Sequence, residues 1–223
     1  MKNTVLYIVT VLIWGSTWLA IEFQLGDVDV PASVAYRFMI SAVLMWGYCC
    51  WANVPMTFSA RNHFFILLLA ISNFSINYAV IYSSQQYLSS AMSSIAFSTM
   101  LLMNIVNTRL FFGTKITIKT YVGAALGILG ITALFWDDLS VAVDGSNTLW
   151  GLGLVITGAL IASLGNMASV RNSRANMNIF AVNAWGMLYG TIILTLLVLV
   201  SDAEFSFSMQ PSYVASLLYL AIF

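Results

Sequence analysis

Ser75, Tyr78 and Tyr82 stand at i, i+3 and i+7, the spacing of one helical stripe, inside a run that is otherwise mostly apolar. Asn73 and Asn77 make a second stripe on the same run. In the next run Ser90, Ser93, Phe97, Met100, Asn104 and Asn107 share one face at helical spacing. Hydroxyls, amides and rings of this kind recognise solutes; none of them forms a nucleophile–base–orienter set. One reading is a cavity wall for an amphipathic solute. The other is hydrogen bonding between neighbouring helices, worth about 0.6 kcal/mol per contact.

Tryptophan and arginine widen the candidate set. Trp14 lies mid-run on one face with Thr10, Thr17 and Trp18, and Trp185 lies inside a later run one turn before Tyr189. An indole at mid-depth either packs or offers a flat wall to an apolar solute, with its N–H as a polar handle. Arg37 is the one charge within a run, about 8 Å from its end at 1.5 Å per residue. A guanidinium there suits a substrate carboxylate. Alternatively it snorkels outward or pairs with Glu22, Asp27 or Asp29. The candidate binding residues are therefore Trp14, Thr17, Arg37, Ser75, Tyr78, Tyr82, Ser93, Asn104 and Trp185.

The elements that must position these residues are set by composition. Of 223 residues 61% are hydrophobic and 7% charged, and the mean hydropathy is +0.91. Soluble domains carry about 25% charged residues, so this is an integral membrane protein. Apolar runs near the 20 residues of a spanning helix occur at 4–21, 32–51, 64–82, 90–108, 120–136, 149–170 and 179–200. An eighth begins near Tyr213 and reaches Phe223, too short to cross. The expectation is a piece of a longer chain. No signal-peptide cleavage site closes the first run, which reads as an uncleaved anchor.

Charge orients the runs. Lys2, Arg61, Arg109, Lys115, Lys119, Arg171 and Arg174 fall at the amino terminus or in connectors 2, 4 and 6. The acids Glu22, Asp27, Asp29, Asp137, Asp138, Asp144, Asp202 and Glu204 fall in connectors 1, 5 and 7. Basic connectors face the cytoplasm, so the amino terminus is expected inside. The two cysteines, Cys49 and Cys50, are neighbours suited to packing. No phosphate-binding loop occurs, so ATP is not expected to drive the chain directly. No Asp or Glu lies deep in a run, which leaves Glu22 or His63 as visible proton carriers and favours a gradient-driven facilitator.

Five spans precede Asp137–Asp144, and Ala35-Tyr36-Arg37-Phe38 has a weak counterpart in Ala184-Trp185-Gly186-Met187. An odd number of spans inserts a second copy with opposite orientation, the arrangement of many secondary transporters. At this point the chain resembles the EamA-type transporters of the drug/metabolite transporter superfamily. The resemblance is carried by Trp14-Gly15-Ser16-Thr17-Trp18, Ala35-Tyr36-Arg37-Phe38 and Gln86-Tyr87-Leu88-Ser89-Ser90-Ala91. Arg109-Leu110-Phe111-Phe112-Gly113 and Gly123-Ala124-Ala125-Leu126-Gly127 complete it. Leu101 stands where that family often has proline, and Thr114 where it often has glutamate.

The resemblance implies an all-α integral membrane bundle of ten helices in two inverted five-helix repeats. Seven of those helices and part of an eighth fall within this sequence. The repeats would be 1–136 and a truncated 149–223. It implies export of amino acids or related metabolites through a central cavity, from the inner membrane. No cofactor, metal or nucleic acid is expected; the partners are the solute and the bilayer. Gly123-xxx-Gly127 and Gly186-xxx-Gly190 pack helices within the bundle or form a homodimer seam. The competing class is a non-transporting assembly subunit or sensor, which would be a dry bundle.

Overall fold

A computed structural model describes residues 2–134, 136 and 147–223. The expected acidic connector at Asp137, Asp138 and Asp144 lies outside the described residues. Those described form helices and no strand. We number the helices α1 (Lys2–Glu22), α2 (Val30–Trp51), α3 (Ala60–Ser84), α4 (Ser90–Phe112), α5 (Ile118–Leu134), α6 (Thr148–Arg174), α7 (Ile179–Val200) and α8 (Pro211–Ile222). All but α5 and α8 are long and apolar enough to cross a membrane. Helix α5 has 17 residues, about 26 Å, against a hydrocarbon core of roughly 30 Å.

Local chemistry sets the ends. Pro31 sits in the first turn of α2 and Pro211 opens α8, where a missing N–H costs nothing. The Ser59 hydroxyl accepts the Asn62 N–H, so α3 starts at Ala60, one turn before its apolar run. Ser89 and Asn178 cap α4 and α7 in the same way. Gly113 ends α4 at φ +67°, a left-handed conformation that glycine adopts without a steric penalty.

Two helices are irregular in their middles. Residues Ser72–Ile76 of α3 make a π turn, and the Ser75 hydroxyl lies 3.0 Å from the carbonyl oxygens of both Ala70 and Ile71. It donates to those carbonyls where the ordinary ladder is interrupted. In α4 the Ser98 and Thr99 hydroxyls donate to Ile95 O and Ala96 O at 2.6 and 2.8 Å, and the helix restarts at Met100. Such back-bonding bends helices.

Helix α6 is the spine. Gly151, Gly158 and Gly165 recur every seven residues and face Leu88, Ile81 and Asn73, leaving no room for a side chain. Close approach lets amides reach across: Asn77 Nδ2 donates to Gly158 O at 2.6 Å, and Asn107 Nδ2 to Ser163 Oγ at 2.8 Å. Gly186 and Gly190 of α7 likewise lie against Phe74 of α3, inside the bundle. Gly123 and Gly127 of α5 face open space instead.

The connectors gather at two ends. At one, Asp29 Oδ2 accepts the Glu204 N–H at 2.8 Å and Asp27 Oδ2 the Ser208 hydroxyl at 2.9 Å. Glu22 Oε1 accepts the Ser90 N–H at 2.9 Å, so connectors 1, 3 and 7 meet there. At the other, Arg171 Nη1 donates to Asn62 Oδ1 at 2.9 Å and the Arg174 guanidinium lies 4.2 Å from the centre of the Phe112 ring. Connectors 2, 4 and 6 meet there. Among the described residues, these acids and bases separate by end, as the alternation of spans requires.

Candidate functional site

Between α1, α2, α3, α4, α6 and α7 lies a cavity of about 540 Å³, within the size range of small-molecule sites. Helix α1 contributes Thr10, Trp14, Thr17 and Trp18, and α3 contributes Asn73, Phe74, Asn77 and Tyr78. Phe97 and Met100 come from α4, either side of its break. Asn166 and Ser169 of α6 and Asn183 of α7 supply polar groups from the facing side. Trp18 and Phe97 meet edge to face with ring centres 5.3 Å apart, closing an apolar corner.

Of the nine candidate residues, four line this space: Trp14, Thr17, Arg37 and Tyr78. Ser75 is fully buried on the π turn, bonded to its own helix. Tyr82 is also fully buried, behind Arg37, and its hydroxyl lies 3.3 Å from Gln24 Oε1. Ser93 is buried, its hydroxyl without a partner among the described residues. Asn104 lies one layer back, where its Oδ1 accepts from Asn166 Nδ2 at 3.2 Å. Trp185 is at the basic end: its indole donates to Met56 O at 2.9 Å and meets Trp46 and His63 edge to face. It holds connector 2.

Arg37 takes neither of the bland positions. It is 6% exposed, so it does not snorkel, and Glu22, Asp27 and Asp29 all serve backbone or hydroxyl groups of the acidic end. Its Nε donates to Leu220 O at 2.9 Å and Nη1 to the Tyr82 hydroxyl at 3.4 Å. Its guanidinium carbon lies 4.5 Å from the centre of the Tyr78 ring and 5.4 Å from that of Phe38. The cation is therefore held by a carbonyl, a phenol and ring faces.

Trp18 walls the cavity, whereas Trp51, Trp136 and Trp150 are exposed near helix ends, where interfacial anchors sit. Asn166, Ser169 and Asn183 were not singled out from sequence. Asn166 and Ser169 stand three apart in the apolar run at 149–170, and Asn183 is the one amide of α7; amides within spans are the signal that could have found Asn166 and Asn183.

The EamA-like transporter family model matches residues 2–136. Among curated proteins, PagO of Salmonella typhimurium is 20% identical over 193 residues, 86% of this chain and 62% of PagO. An uncharacterized transporter of Haemophilus influenzae is 26% identical over 69% of this chain and 51% of its own length. The uncharacterized transporter YoaV of Bacillus subtilis is 23% identical over 98% of this chain and 74% of its own. The chain thus spans between half and two thirds of the length of the first two. No solved structure matches it. Multiple apolar spans, all-helical architecture and the family match agree, and the chain belongs to the EamA-like transporter family of multi-pass membrane proteins.

Proposed function

We propose that the protein is a secondary transporter, exporting amino acids or related small metabolites through the cavity between two inverted repeats. Residues 1–136 would be the first repeat and 149–223 part of the second, in the inner membrane with the amino terminus cytoplasmic. One observation carries this reading most: a 540 Å³ space at mid-depth is walled by polar and aromatic groups from six helices. A dry, well-packed bundle would lack it. Trp14, Thr17, Arg37 and Tyr78 would touch the solute, Ser75, Tyr82, Ser93 and Asn104 would hold the wall behind it, and Trp185 would hold connector 2.

The irregular middles of α3 and α4 suit alternating access. Both flank the cavity, and a π turn and a hydroxyl-bonded break absorb bending at little cost in hydrogen bonds. The test is counterflow in liposomes holding the full-length protein and preloaded with single amino acids. Labelled solute should accumulate above empty liposomes for at least one solute, and alanine at Tyr78 should abolish it. Absence of counterflow for every amino acid and related acid tried would refute the reading.

A further inference from the structure

Arg37 is the one charged side chain on the cavity wall, and no Asp or Glu side chain lines it among the described residues. A guanidinium stays protonated at any working pH. Among the described residues it meets no carboxylate, and the three acids nearest in sequence are engaged at the acidic end. A buried cation without a counter-charge is unfavourable until an anion arrives, and a second cation makes it worse. The rest of the polar lining is neutral: Asn73, Asn77, Asn166 and Asn183 are amides, and amides do not offset a charge.

We infer that the solute carries a carboxylate that docks on Arg37, with its apolar part against Trp14, Trp18 and Phe97, and that organic cations are refused. This rests on the transport reading and narrows it to organic acids and zwitterions. The Nε bond to Leu220 O, the Nη1 bond to the Tyr82 hydroxyl and the Tyr78 ring fix the plane of the guanidinium, and the carboxylate would take the N–H groups that these leave over. Tyr78, lying under that plane, positions the cation and is not itself a ligand for the carboxylate.

The test is equilibrium binding to the full-length protein in phosphatidylcholine nanodiscs, read by quenching of the cavity tryptophans. The probes are 3-phenylpropionate, L-phenylalanine, L-phenylalaninamide, phenethylamine and inorganic phosphate. Both carboxylates should bind roughly tenfold or more tightly than the amide and the amine. The preference should persist between about pH 6 and 9, because the guanidinium does not titrate there. Arg37→Gln should erase it and Arg37→Lys should keep part of it. Should Arg37→Gln fail to fold, the comparison of probes on the unaltered protein still decides. Equal or tighter binding of amide or amine, no binding of either carboxylate, or equal affinity for phosphate overturns the inference. So does a preference that survives in Arg37→Gln. Lost counterflow with the carboxylate preference intact sinks the transport reading alone.

Discussion

Asn73 Nδ2 donates to Asn166 Oδ1 across 3.1 Å, joining the π turn of α3 to the middle of α6. Asn166 Nδ2 in turn donates to Asn104 Oδ1 at 3.2 Å, so one amide ties three helices together beside the cavity. Replacing Asn166 by leucine leaves both neighbours short of a partner. We expect Asn166→Leu to lower stability by about 1–2 kcal/mol, the range for a buried polar group left unpaired. Thermal unfolding in detergent, followed by circular dichroism, checks this; an unchanged midpoint means that the relay is not structural.

Glycine substitutions should divide sharply by position. A side chain at Gly165 meets Ser72 and Asn73, and one at Gly190 meets the Phe74 carbonyl, whereas one at Gly123 meets nothing within 4 Å. Overpacking of this kind costs about 1–3 kcal/mol. Gly165→Val and Gly190→Val should therefore melt earlier than the parent, and Gly123→Val should not. Equal loss at Gly123 points to a partner on the α5 face, and size-exclusion chromatography with light scattering would then show a dimer.

Much of the architecture could be read from the chain, because a bilayer demands long apolar runs and bases sort to one side. The run at 179–200 coincides with α7, and Ser90 opens α4 as expected. The ends of α3 and α6 were underestimated where polar first or last turns are still helical: Ser59 caps one, and Arg171 stacks on Phe65 at 3.9 Å in the other. The candidate wall was less legible. A stripe at i, i+3 and i+7 assumes 3.6 residues per turn, and the π turn at Ser72–Ile76 shifts that register, separating Ser75 from Tyr78. Trp185 sits two residues, about 200°, around α7 from Asn183, so only one of them can face the cavity. The packing glycines of α6 stand seven apart, so the small-xxx-small spacing does not mark them.

Glu22 is a helix cap at the acidic end. Its carboxylate accepts the Ser90 N–H at the positive end of α4, where a negative charge contributes about 0.3–1 kcal/mol. Glu22→Gln should lose that small amount and leave solute counterflow unchanged with or without a pH gradient. Abolished proton-coupled uptake in vesicles would contradict the facilitator reading.

Trp185 should affect architecture without touching affinity. Trp185→Phe keeps the ring near His63 and Trp46 and removes the hydrogen bond to Met56 O. A loss of about 1 kcal/mol in stability is expected, with solute affinity unchanged. A tenfold or larger drop in affinity, the equivalent of about 1.4 kcal/mol, would move Trp185 into the binding site.

Water and solute should reach the cavity wall while the residues behind it stay dry. Single cysteines at Trp14, Tyr78 and Asn166, and at Ser75 and Ser93 as buried controls, would be placed in a chain lacking Cys49 and Cys50. A membrane-impermeant thiol reagent applied to the assembled protein should label the first three and spare the other two. Labelling at none of the five, or at Ser75 and Ser93 as fast as at Tyr78, would contradict the account.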